Sequence, residues 1–136
     1  MPPSAISRIR KLCLALPEAH EQLAWGEPTF RVRNKMFAMF ASANTHHGVG
    51  RAAVWIKASA DNQAMLVKSA PTRFFVPPYV GPSGWIGVWL DGAPVWPEVR
   101  ELLDDGYRRV APKKLLALFD AHSASSRGRA VHPEHR

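Results

Sequence analysis

Hydrophobic positions along the chain switch between a helical and a strand period. Ile6, Ile9, Cys13 and Leu16 recur at helical spacing behind Ser4, a residue able to cap a helix. Pro17 ends the run, so a helix is predicted over roughly residues 5–15. "HEQLAWGEP", residues 20–28, reads as a short strand closed by Gly26 and Pro28. "TFRVRNKMFAMF", residues 29–40, has the alternation of a β-hairpin. Phe30 and Val32 lie on one face of its first strand, matched by Phe37 and Met39 on the second, with Arg31 and Arg33 opposite. The turn sits around Asn34, because asparagine tolerates the positive φ of tight hairpin turns. Placing it at Arg33-Asn34 or at Asn34-Lys35 keeps the same facing.

The second half repeats this exchange. "SANTHHGVG" is a loop, and "RAAVWIKAS" a strand with Val54 and Ile56 on one face, Trp55 and Lys57 on the other. "ADNQAMLVKS" reads as a helix capped by Ser59 or Asp61 and stopped before Pro71. A short strand "RFFV" leads through a proline-rich stretch into "GPSGWIGVWLDG", residues 81–92. There Ile86, Val88 and Leu90 share one face, Trp85, Gly87 and Trp89 the other. "WPEVRELLDDG" is a helix with Pro97 in its first turn, an apolar set of Val99, Leu102 and Leu103, and Gly106 just past its end. A last helix begins near Pro112. After Ala121 the Ser, Gly, Arg and His content reads as a flexible basic tail, residues 122–136, beyond a single domain of residues 1–121.

The order is helix, three or four strands, helix, two strands, then helix. Short connections between the strands argue for an antiparallel sheet with helices on one face, a two-layer α+β sandwich. At 136 residues and 46% hydrophobic content, the chain is one globular domain. The single cysteine, Cys13, excludes an internal disulfide and a cysteine-based zinc site. The apolar run "LCLALP" is interrupted by Pro17 and Glu18 and carries no cleavage site. The expectation is a cytoplasmic protein with no membrane partner. The formal charge is +7, and fifteen cations against ten acids over residues 1–120 make the domain itself basic. DNA or another polyanion is therefore a candidate partner.

Several stretches together resemble the MmcQ/YjbR-like proteins over roughly residues 9–116. They are Leu-Pro-Glu at 16–18, Gly26 and Pro28, Lys35 with Phe37 and Ala38, Pro78-Tyr79, Gly84-Trp85, and Tyr107. The resemblance implies a two-layer α/β fold similar to secretion chaperones, with a core α-β(3)-α-β(2)-α. It also implies a DNA-binding label, which rests on likeness to a double-wing motif. It brings no catalytic residues. Asn34 departs from the glycine of many relatives, and asparagine is the nearest substitute in that conformation.

On such a fold the face away from the helices would display Trp55, Trp85, Trp89, Lys57, Arg31 and Arg33. Bases stack on aromatic rings at roughly 1–3 kcal/mol each, while lysine and arginine neutralise phosphates. Gly87 would leave a slot between the tryptophans. A packed loop such as 71–84, the C-terminal helix, or a second subunit could equally cover this face. A homodimer or protein-interaction module is thus the rival to nucleic-acid binding. A further cluster, Arg108, Arg109, Lys113 and Lys114, flanks a helix start, and helix N-termini attract phosphate. Lys35 completes the basic set. A small-molecule pocket near Tyr79, Trp85 and Tyr107 is the third reading.

No enzyme signature or cofactor motif emerges. His46-His47 in a loop and His132 with His135 in the tail lack the rigid support of metal ligands. Cys13 is placed on the core side of the first helix. Glu18, Glu21 and Glu27 surround His20, but strand neighbours point to opposite faces and do not converge. "GVGR" is too short for a phosphate loop, and no serine lies in a nucleophile elbow.

Overall fold

Residues 20–41 fold into two consecutive hairpins, because both of their connections are two-residue turns at positive φ. The computed structural model describes residues 4–43 and 50–130, with backbone alone from residue 122. Chain order is α1 (Ala5–Leu14), β1 (His20–Ala24), β2 (Glu27–Val32), β3 (Lys35–Ala41), β4 (Ala53–Ile56) and α2 (Ala60–Ser69). There follow β5 (Phe74–Phe75), a 3-10 turn (Gly81–Ser83), β6 (Ile86–Trp89), α3 (Trp96–Val110) and α4 (Lys113–Ala130). Trp25 (φ 54°) and Gly26 (φ 76°) turn β1 into β2, and Arg33 (φ 51°) and Asn34 (φ 67°) turn β2 into β3. Such turns match the right-handed twist of the strands they join.

The strands form one antiparallel sheet in the order β1-β2-β3-β4-β6-β5. One face carries Phe30, Val32, Phe37, Phe40, Val54, Ile56, Ile86, Val88 and Leu90. Against it pack Ile9 and Cys13 of α1, Val99, Leu103 and Tyr107 of α3, and Leu115 and Phe119 of α4. Leu66 and Val67 of α2 close the same cluster from its margin. All four helices therefore serve one face of the sheet, and the fold is α+β. Each fully buried side chain of this size stabilises the chain by about 1.5–3 kcal/mol relative to exposure. Helix starts follow their local chemistry. The Ser4 hydroxyl accepts from Ser7 N–H, and the Ser59 hydroxyl accepts from Asn62 N–H.

Two expectations are corrected. Met39 does not share the face of Phe37, because the β2–β3 register slips by one residue. Phe30 lies opposite Ala38 but Arg31 lies opposite Met36, leaving Phe37 as the extra residue of a bulge. Past that bulge the alternation inverts: Phe40 stays in the helix-side core while Met39 and Ala41 turn to the other face. Gly106 does not end the third helix, which continues to Val110. This glycine is instead where α3 comes closest to the sheet. A Cβ there would sit 2.9 Å from Ile56 Cγ2, 3.1 Å from the Lys57 carbonyl oxygen and 3.2 Å from that of Phe37. The last helix spans Lys113–Ala130, so its backbone runs on past Ala121.

His46, His47, His132 and His135 lie outside the described residues. Among the described residues no helix is long and apolar enough to cross a membrane.

Candidate functional site

The register puts Trp55, Trp85 and Trp89 on the sheet face away from the helices, together with Met39, Ala41 and Ala53. That face is covered by the chain itself. Trp55 is 2% exposed and Trp85 5% exposed, and Met36, Phe75, Val80 and Trp89 pack around their cluster. The segment before β6 is pinned in place over it. The Gln63 side-chain amide donates to the Gly81 carbonyl at 2.9 Å and to the Trp85 carbonyl at 2.6 Å. Gly84, at φ 88°, lets the backbone approach Ser59 and Ala60, where a Cβ would meet backbone atoms at 2.9 Å. Of the covers weighed from sequence, the loop within residues 71–84 is the one observed.

Gly87 leaves no open slot, because the Phe75 ring occupies it. A Cβ at residue 87 would fall 2.3 Å from Phe75 Cζ. The same ring stacks on Trp89, with centroids 4.0 Å apart and planes 23° apart. The Arg51 guanidinium lies 3.9 Å from the Trp89 ring centroid and is held by both oxygens of Asp91, at 2.8 and 2.9 Å. Trp55 and Trp85 are thus closed to a stacking base, and Trp89 already has two flat partners. Burial in a second, smaller core explains all three: apolar rings on one strand face are removed from water by whichever segment can reach them.

The basic residues divide between the two layers. Arg31 and Lys57 lie on the tryptophan-bearing face. The Lys57 ammonium stands 6.0 Å from the Trp85 ring centroid, and Arg31 Nε donates to the Thr29 hydroxyl at 3.0 Å. Thr29 is itself fixed, donating to the Gln22 carbonyl at 2.6 Å. Arg33 occupies the β2–β3 turn, not a strand face, and pairs with both oxygens of Glu18 at 2.8 and 3.3 Å. Hydrogen bonding to Arg33 holds the Glu18 carboxyl below the usual carboxylate range, and the fields of Arg33 and Lys114 add to it. Lys35 sits opposite Val32, on the helix side of the same turn. Lys57 N–H donates to the Phe37 carbonyl, which brings the end of β4 level with the start of β3.

One end of the sheet therefore gathers Arg31, Arg33, Lys35 and Lys57, with Lys114 of α4 close enough to act on Glu18. Arg108 and Arg109 in the last turns of α3 are engaged otherwise. Arg108 pairs with Asp120, and Arg109 Nε with Asp105 at 2.8 Å. Arg10–Glu21, Arg51–Asp91 and Arg73–Glu98 are three further ion pairs with arginine as the cation. Planar guanidinium forks match carboxylates, whereas lysine ammonium groups remain hydrated. Among the described residues Lys35, Lys57, Lys113 and Lys114 make no ion pair, and the last two are exposed at the start of α4.

The third reading, a pocket shared by Tyr79, Trp85 and Tyr107, has no geometry behind it. Tyr107 is buried on the helix side of the sheet, Trp85 on the other side, and Tyr79 is 75% exposed. The carboxylates near His20 also diverge. Glu18 goes to Arg33, Glu21 to Arg10, and the fully buried Glu27 accepts from Ser42 N–H at 3.0 Å and from the Ser42 hydroxyl at 2.9 Å. Burial pushes the Cys13 thiol well above its usual range, the opposite of what a nucleophile needs. Among the described residues no group of three or more potential ligands could hold a metal ion.

One exposed aromatic residue has no role in the sequence pattern, Trp25, which sits at positive φ in the β1–β2 turn. The Trp-Gly pair between alternating segments was the available signal for it.

A family model described as YjbR matches residues 14–109. The crystal structure of Deinococcus radiodurans protein DR2400, described as a DUF419 domain, is similar in fold with a TM-score of 0.68. The identity is 20%, over 84% of this chain and 83% of that one. No curated protein matches the chain.

Proposed function

The chain belongs to the YjbR family, and we propose that it binds nucleic acid through the phosphate backbone, at the end of the sheet where β2 turns into β3. The observation that carries this reading is the partition of charge. Six arginines hold Glu18, Glu21, Asp91, Glu98, Asp105 and Asp120 in ion pairs, while Lys35, Lys57, Lys113 and Lys114, together with Arg31, carry charge that no such pair among the described residues takes up. Arg31 adds a guanidinium oriented by Thr29. Such a cluster neutralises phosphates regardless of base identity.

Burial of Trp55 and Trp85 argues against base stacking as part of the contact. The expected ligand is thus duplex as readily as single-stranded nucleic acid, with little sequence readout. Arg108 and Arg109 contribute by exchanging their carboxylates for phosphates. A cytoplasmic location accords with this role, since a chain with one buried cysteine asks for no oxidising compartment.

Fluorescence anisotropy of labelled duplex and single-stranded oligonucleotides, followed across a salt series, tests the reading. Four to five phosphate contacts should give a log–log slope of about −4 on duplex. Alanine at Lys35, Lys57, Lys113 and Lys114 together should abolish most of that slope. Absence of binding at about 50 mM salt would sink the proposal.

A further inference from the structure

The edge strand β1 has an unpartnered outer side, and we propose that it is the contact through which two copies of this chain associate. Among the described residues no strand pairs with β1 opposite β2. The strand is regular, all five residues pairing with β2 from His20–Arg31 to Ala24–Glu27. Natural edges are commonly blunted by lysine, proline or a bulge. This one, HEQLA, has none of the three. Leu23 within it and Trp25 in the turn that follows are open to water, at 74% and 64%.

The backbone groups of this edge fit a second copy of themselves. A two-residue turn makes Ala24 and Glu27 a hydrogen-bonded pair, so Gln22 and His20 also direct their backbone groups to β2. Glu21 and Leu23 therefore present N–H and C=O outward, symmetrically about Gln22. A two-fold axis at Gln22 pairs Glu21 of one copy with Leu23 of the other, and the reverse, satisfying four donors and four acceptors with four hydrogen bonds. Leu23 then lies beside the Glu21–Arg10 pair of the second copy.

Charge selects this partner over a foreign strand of either sign. Copies of a chain with a formal charge of +7 repel one another except where charge is compensated. Here β1 holds a single carboxylate, Glu21, bound by Arg10 at 2.6 and 2.9 Å, and no lysine or arginine. It is a strip without surplus positive charge on a basic molecule, its one carboxylate compensated by Arg10, and two such strips meet without charge conflict. The contact does not rest on the nucleic-acid reading: it uses the outer edge of β1, next to the basic end rather than on it.

Sedimentation velocity from about 5 µM to 1 mM, at two salt concentrations, tests it. A small edge contact should give a dissociation constant of roughly 10–500 µM. Salt should strengthen the dimer by screening the like charges, opposite to its effect on a phosphate complex. Leu23→Lys places a charge on the edge, and Leu23→Pro removes an outward N–H where an edge strand tolerates proline. Each should weaken association by about tenfold or more while circular dichroism and Tm stay unchanged. If the proline variant unfolds, the lysine variant decides alone. A monomer at every concentration, or a dimer indifferent to Leu23→Lys, overturns the proposal.

Discussion

The Tyr107 hydroxyl donates to the Pro17 carbonyl at 2.7 Å, tying α3 to the connection between α1 and β1. That connection also carries Glu18, so the bond helps hold the Glu18–Arg33 pair at the basic end of the sheet. The Tyr107 ring meets Phe37 and Phe119 edge-on, at centroid distances of 5.7 and 5.3 Å. Tyr107→Phe keeps those ring contacts and strands the Pro17 carbonyl. The expected cost is about 1–2 kcal/mol, seen as a fall in Tm of roughly 3–8 °C.

Gly106→Ala separates helix propensity from packing. Alanine is favoured over glycine within a helix by roughly 1 kcal/mol. The Cβ, however, would crowd Ile56 and two backbone carbonyls of the sheet. Backbone cannot move aside as a side chain can, so overpacking should win, with a net loss of about 1–2 kcal/mol in denaturant titration.

Gly87 and Phe75 should behave as a coupled pair. Gly87→Ala would drive the Phe75 ring off its seat and is expected to cost about 1–3 kcal/mol. Phe75→Ala uncovers the strand and should make tryptophan emission more sensitive to acrylamide. In the double variant the clash is gone, so its loss should fall well short of the summed single losses. A double-mutant cycle measures that shortfall.

The Glu18–Arg33 pair gives acid sensitivity of a defined sign. Folding lowers the Glu18 value below 4.5 because Arg33 hydrogen-bonds the ionised form. The pair therefore contributes stability above the unfolded value, and that contribution disappears as pH falls through the lowered one. Glu18→Gln should lower stability slightly around neutrality, where the pair acts, and flatten the profile below pH 4.5, where the unmodified protein loses the same contribution. Tyr107 gives the alkaline counterpart. Burial raises its value above 10, so the protein should lose stability as pH climbs past 10, and Tyr107→Phe should blunt that loss.

For nucleic acid, single replacements at the turn end should act alike. Lys35→Ala, Lys113→Ala or Lys114→Ala should each reduce the salt slope by about one and weaken all oligonucleotides uniformly. Tryptophan emission should barely change on binding, since Trp55 and Trp85 are covered before any ligand arrives.

Much of the fold is written in local pattern. The alternation of residues 86–90 places Ile86, Val88 and Leu90 in the main core and Trp85 and Trp89 on the opposite face. Period alone decides which side of a strand a residue takes. Ser4 and Ser59 mark their helix starts because a cap acts within one turn. The Asn34 turn is legible for the same reason. Pattern fails at the bulge, since the extra residue at Phe37 is defined by the partner strand, and one slip reverses every later facing. It fails too at Gly106, where a residue that usually stops helices is required by the sheet beneath it.

The candidate site divides along the same line. Sequence by itself determined the charge surplus, the element order and the shared face of Arg31, Lys57 and the tryptophans, because these follow from residue type and short-range spacing. Tertiary structure alone decided that the tryptophans are covered, that Phe75 fills the gap over Gly87, and which cations are already paired. Each of those depends on contacts between residues distant in the chain, such as Arg51 with Asp91, or Gln63 with Gly81 and Trp85. Burial and ion pairing belong to such meetings, and no local pattern encodes them.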